Sequence, residues 1–167
     1  MKYMLTVMVV ILGFFFAKAQ NLKPAYFNEE ADHYNVGEER IAVQGYDLVA
    51  YHTDNKALKG SVEYQYTHDG VIYHFITAAN KTLFISDPEK YMPAYGGYCA
   101  FSLGMPNGFG GGVPGKYPVD PESFKISNGR LYLFFKKDGF EALRLWNKAE
   151  ERFRKMADLR WQQMEGK

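Results

Sequence analysis

The stretch VEYQYTHDGVIYHFI, residues 62–76, decides the fold. Val62, Tyr64 and Tyr66 alternate with Glu63, Gln65 and Thr67, the period of a strand with one face turned inward. Asp69-Gly70 follows as a tight turn, because glycine accepts the positive φ that two-residue hairpin turns demand. Val71, Tyr73 and Phe75 return on one face; Ile72, His74 and Ile76 share the other. Both faces of the returning strand are apolar, so it is expected to lie centrally and to be covered on both sides.

Working outward, residues 77–91 turn helical. Thr77 is placed to cap a helix whose inward face would be Ala79, Leu83 and Phe84. Asp87-Pro88-Glu89 opens a further turn: aspartate caps, proline fits the first position and glutamate suits the positive end. YCAFSL, residues 98–103, reads as a short strand. On the other side, IAVQGYDLVAYH, residues 41–52, reads as two short extended pieces around a turn at Gly45-Tyr46-Asp47. Residues 104–118 hold six glycines and three prolines, so they are a loop, long enough to be functional or mobile. That loop has neither the lysine-serine/threonine pair nor the dinucleotide fingerprint of a phosphate cradle.

DPESFKISNGRLYLFF, residues 120–135, gives a second hairpin with Asn128-Gly129 as its turn. From Asp138 a long helix is expected to run to Met164. Asp138 and Glu141 have capping-box spacing, and Leu143, Trp146, Ala149, Phe153 and Met156 form one buried stripe. The sequence displays no internal repeat and no inner domain boundary. The fold class is therefore α+β: a small antiparallel sheet of hairpins, a short helix after the first hairpin and a long C-terminal helix packed on the sheet.

The N-terminus addresses the chain. Lys2 precedes an apolar run from Tyr3 to Phe16, and Ala17-Lys18-Ala19 is a small-x-small cleavage pattern. This is the pattern of a secretory signal peptide over residues 1–19, cut after Ala19. The run is too short for an ordinary membrane span, so the membrane would be met only through an uncleaved signal segment. Residues 20–40 read as a polar leader, and 41–167 as a single domain. Without Lys2 and Lys18 the chain carries 18 basic and 19 acidic residues, a balance that argues against a nucleic-acid partner. A monomer in the periplasm or outside the cell is expected.

Several pieces between Gly45 and about residue 103 resemble the YHS domain family. They are GYDLVAYH at 45–52, YHF at 73–75, LF at 83–84, DPEKY at 87–91 and YGGYCA at 95–100. The segment from Gly115 to Leu133 is similar to the tail of exported, stand-alone members. The resemblance implies metal handling, with copper the metal most often proposed. Related domains in copper-transporting ATPases carry three cysteines; laid on this chain, those positions fall at Ala50, Ile76 and Asn80. The thiolate set of that branch is missing here.

A different soft-metal site would have to use Cys99, His74, His52 and Met105, whose thiol, imidazoles and thioether suit copper. None of them lies at the short spacing of a zinc finger, so assembly would be spatial. Each has a plainer reading. Cys99, the only cysteine, can be a small buried apolar residue, and His74 a core imidazole with a hydrogen-bond partner. As a nucleophile Cys99 would need a base in reach, and no nucleophile elbow, zincin motif or carboxylate pair appears. Catalysis is therefore not expected. Tyr46, Asp47, Tyr98 and Phe109 are the candidates for a ligand pocket beside the glycine-rich loop 104–115, although Asp47 can equally bond backbone amides at its turn. The expected function is an exported, non-catalytic protein with a soft-metal role. The alternative is a metal-free envelope module that binds a small ligand or a protein.

Overall fold

A computed structural model describes residues 33–106 and 117–166. The expected signal peptide at 1–19, most of the expected leader, Phe109 and the body of the glycine-rich loop lie outside the described residues. Among them, no helix is long and apolar enough to cross a membrane.

The architecture is α+β, built on hairpins. Strands β1 (Ser61–His68) and β2 (Val71–Phe75) pair antiparallel around Asp69-Gly70, both at positive φ (47° and 69°). The strand register shifts between Ser61 and Gln65, which breaks the simple alternation and leaves Val62 70% exposed. Strand β2 is central only in a narrow sense, with β1 on one edge and a single parallel bridge from Ile41 to Ile72 on the other. Val71, Tyr73, His74 and Phe75 are buried.

Three local readings are overturned. Leu48–His52 is not extended: helix α1 (Leu48–Thr53) forms there because Asp47 accepts the amides of Val49 and Ala50 and so caps the helix start. Likewise the 98–103 strand is reduced to one bridge, Cys99 to Leu133, after which α4 (Ala100–Gly104) begins. In α2 (Ala78–Ser86), Thr77 caps through Asn80 as read, but Ala79 and Leu83 face solvent and Phe84 alone is buried. Its apolar residues, Ala78, Ala79 and the consecutive Leu83, Phe84 and Ile85, are spread around the helix, so the Ala79–Leu83 spacing did not single out the buried side. The short α3 (Pro88–Tyr91) has Asp87 as its cap and Pro88 in its first turn.

The second hairpin follows the sequence reading: β3 (Asp120–Ser127) pairs with β4 (Arg130–Phe134) around Asn128-Gly129. The single long helix does not. Asp138 and Gly139 take φ of 50° and 79° and form the turn of a small hairpin, β5 (Lys136–Lys137) and β6 (Phe140–Glu141). The Asp-Gly pair thus acts as a hairpin turn and not as a helix cap. Helix then runs in two pieces, α5 (Ala142–Trp146) and α6 (Glu150–Met164). Trp146 is fully buried, and α6 packs chiefly on α4, where Gly104 lets the Phe153 carbonyl approach. Arg160 of α6 donates to the carbonyls of Leu103, Met105 and Pro106, fixing the point where the chain enters the glycine-rich loop.

Two turns of similar left-handed geometry are also present. Val43, Gln44 and Gly45 take φ of 43°, 54° and 80°, a left-handed turn closed by the Tyr46 amide on the Val43 carbonyl at 3.1 Å. Tyr95, Gly96 and Gly97 take 59°, 57° and 86°, closed by the Tyr98 amide on the Tyr95 carbonyl at 3.0 Å. Each turn leads into a short helix, and each helix is followed in the chain by a hairpin of eight and five residues.

Candidate functional site

Asp47 is the most heavily engaged polar group among the described residues. Its side chain is fully buried, at 0% exposure. Oδ1 accepts the amides of Val49 (2.8 Å) and Ala50 (3.3 Å); Oδ2 accepts the Ile76 amide (2.9 Å) and the Asn80 side-chain amide (2.7 Å). The carboxylate thus ties the start of α1, the end of β2 and the first turn of α2 together. Positions 50, 76 and 80, where the resemblance would place cysteines, do converge in space. In this chain they converge on a carboxylate whose oxygens are already taken. Asp47 therefore bonds backbone amides, the plainer of the two readings made for it.

Cys99 occupies a similar place in the other half. It is 2% exposed, and its Sγ accepts the Phe135 amide at 3.3 Å. Burial pushes the thiol up from its ordinary value, while the amides of Phe135, Ser102 and Phe101 pull it back part of the way. The sulfur is enclosed, and burial disfavours its thiolate form.

The imidazoles lie elsewhere. His74 on β2 is 9% exposed and rests against Gly45, where a Cβ would sit 2.9 Å from Nδ1. His52 on α1 stands edge-on to Tyr91 at 5.5 Å, and its Nε2 is buried without a hydrogen-bond partner among the described residues. Met105, half-buried, follows α4 at the loop entrance. Among the described residues, no group of three or more His, Cys, Asp and Glu side chains is arranged to hold a metal ion. Of the ligand candidates, Tyr46 is half-buried beneath the Lys59 ammonium (5.1 Å), and Tyr98 is buried against Trp161 (5.8 Å).

Both histidines sit below the ordinary imidazole value of 6.5, chiefly through burial; Lys59 lowers His74 further and Lys90 lowers His52, against an opposing bond to the Tyr91 backbone. The unfolded chain therefore takes up protons first as the pH falls, so stability present above about pH 6.5 is lost below it. Melting temperatures between pH 7.5 and 5 are expected to fall, and to fall less steeply in a His52→Gln, His74→Leu double variant. Parallel curves for the two chains would remove these groups from the acid limb.

Sequence reasoning missed the cleft. The turn ends of both hairpins, at Asp69-Gly70 and Gly129-Arg130, line a cavity of about 1030 Å³ together with Pro93 to Gly96 and Trp161. Its walls carry both charge signs: Arg40, Lys90 and Arg130 against Asp69, Glu89 and Glu165. Arg40 Nε donates to the Gly70 carbonyl at 2.5 Å. Arg130 stands over the Tyr95 ring at 5.3 Å and pairs with Asp158 at 3.1 Å. Asp69, Glu89 and Glu165 all act, after burial, to raise the Tyr34 hydroxyl. No short motif marks these residues; they come from six separate segments, and only their convergence makes a site.

Comparison with known families finds a match that covers part of the chain. Residues 49–95 match the family model described as YHS domain. The chain carries a YHS domain. No curated protein and no solved structure matches the chain. The YHS match runs from Val49 on α1 through the first hairpin, α2 and α3 to Tyr95 in the second left-handed turn. It includes His52, His74 and the 50, 76 and 80 positions, and it stops before Cys99. The cleft is only partly a YHS feature, since Arg130 and Trp161 lie outside the match.

Proposed function

We propose that this YHS protein is an exported, non-catalytic binding module of the cell envelope that holds a small polar ligand in the cleft between its two hairpin turns. The observation that carries this reading is the cleft itself: a ligand-sized space with aromatic surface at Tyr95 and Trp161 and with charged groups of both signs around it. Export rests on the N-terminal signal pattern of the sequence. Against catalysis stands the burial of Cys99, which disfavours its thiolate form.

Trp161 makes the reading testable, because it edges the cleft while Trp146 is fully buried. The mature chain would be titrated with a panel of amino acids, dicarboxylates and polyamines while tryptophan emission and melting temperature are followed. At least one member is expected to shift both, and Trp161→Phe to abolish the emission change. A panel that moves neither sinks the cleft reading.

A second reading, the soft-metal role, is favoured by the YHS match, since this domain is associated with copper handling. It would rest on Cys99 with His74, His52 or Met105 as further ligands. Cu(I) titration against a competing chelator tests it. One-to-one binding that Cys99→Ser abolishes would establish it; binding unchanged by that substitution would remove the sulfur-centred site.

A further inference from the structure

We infer that the chain holds two copies of one structural unit, the YHS copy beginning at Ile41 and a diverged second copy beginning at Pro93, in which Cys99 holds the post of Asp47.

Four sets of contacts carry this inference, and they agree residue by residue. In the turns, Val43 to Asp47 correspond to Tyr95 to Cys99, with the same left-handed backbone and the same closing bond. In the hairpins, Ser61 pairs with Phe75 and Asp120 with Phe134; then the register shifts in both, and pairing resumes at Gln65 with His74 and at Phe124 with Leu133. From there the two registers run in step to the turn, ending at His68 with Val71 and at Ser127 with Arg130. The segment before each turn makes a parallel bridge to the second residue of the returning strand, Ile41 to Ile72 and Pro93 to Leu131. The residue after each Gly-Tyr pair then sends its side chain to the first amide beyond that strand: Asp47 to Ile76, Cys99 to Phe135.

A hairpin with a bulge is common, and a left-handed turn occurs alone. Shared register, shared bulge position and a shared side-chain clamp in the same chain order are what a single unit used twice produces.

The second copy also shows what the fold requires. Ala42, Gly45, Tyr46, Gly70, Tyr73 and Phe75 meet Ala94, Gly97, Tyr98, Gly129, Tyr132 and Phe134. These positions stay the same because they form the turns and the core. The buried polar posts changed instead: Asp47 became Cys99, and His74 faces its counterpart in Leu133, which is fully buried. His74 is thus a polar group that the unit folds without. The cleft belongs to neither copy alone, since the hairpin turns of both line it.

Amide hydrogen exchange at Ile76 and Phe135 tests the equivalence, whether or not the cleft binds a ligand. Cys99→Ala is expected to speed exchange at Phe135 by about tenfold relative to its hairpin neighbours, as an amide loses its acceptor. Cys99→Asp is expected to restore slow exchange there, and Asp47→Cys to keep Ile76 slower than Asp47→Ala does. Should Cys99→Asp fail to fold, Cys99→Ser supplies an acceptor of nearly the same size. A Phe135 amide indifferent to Cys99→Ala would overturn the inference. So would a folded Cys99→Asp or Cys99→Ser chain that exchanges there as fast as the alanine variant.

Discussion

Gly60→Ala is expected to cost about 3 kcal/mol or more of folding stability, the upper end for overpacking a site that cannot give way. A Cβ at this position would lie 2.4 Å from the His74 carbonyl carbon, 2.6 Å from its oxygen and 2.7 Å from the Phe75 nitrogen. All three are backbone atoms of β2, so no side-chain rotation relieves the clash. The Gly60 amide also donates to the Gly45 carbonyl at 2.9 Å, so a shift of the chain away from β2 strains the left-handed turn as well. Chemical denaturation of the two chains measures the loss. Gly129→Ala is the control: a Cβ there meets nothing within 4 Å, so any effect comes only from its φ of 74°. Equal losses in the two variants would show that the close approach at Gly60 is not what limits the site.

Asp47→Ala is expected to cost about 3–5 kcal/mol, because it leaves four donors without their acceptor and each buried donor costs about 1–3 kcal/mol before the surroundings relax. A loss of that size is a large share of the stability of a domain this small. Asp47→Asn keeps the shape but turns an amide toward donors, so it is expected to recover only part of the loss. The damage has a place: the Ile76 amide should exchange faster in Asp47→Ala before the chain unfolds globally. A loss below about 1 kcal/mol would mean that water replaces the carboxylate, and that Asp47 does not hold α1, β2 and α2 together.

Elements with a local signal were legible in the sequence. Asp69-Gly70 and Asn128-Gly129 announce hairpins through backbone chemistry alone, and Thr77 and Asp87 announce caps in the same way. Elements set by distant partners were not. Leu48 to Tyr51 is a short apolar run that fits a strand or a buried helix, and nothing nearby shows that Asp47 will hold Ile76 while it caps a helix there. Asp138-Gly139 satisfies a capping box and a hairpin turn equally well, and tertiary pairing of Lys136 with Glu141 decides for the turn. The two left-handed turns escaped notice because three of their six residues, Val43, Gln44 and Tyr95, are not glycine. The repeat was hidden for the same reason: the copies share geometry while their strands share few side chains.

Two hairpins with one register in one chain also create a hazard during folding. A newly made β1 meets, in β4, a strand whose hydrogen bonds would fit it as well as those of β2, and repeated units are prone to this kind of exchange. Backbone geometry offers no protection, so discrimination falls to the side chains. Gln65 opposite His74 and Phe124 opposite Leu133 are matched pairs, one polar and one apolar; crossing them would set Gln65 against Leu133 and Phe124 against His74. At this position the divergence between the copies therefore matches each strand to its own partner and mismatches it to the other's.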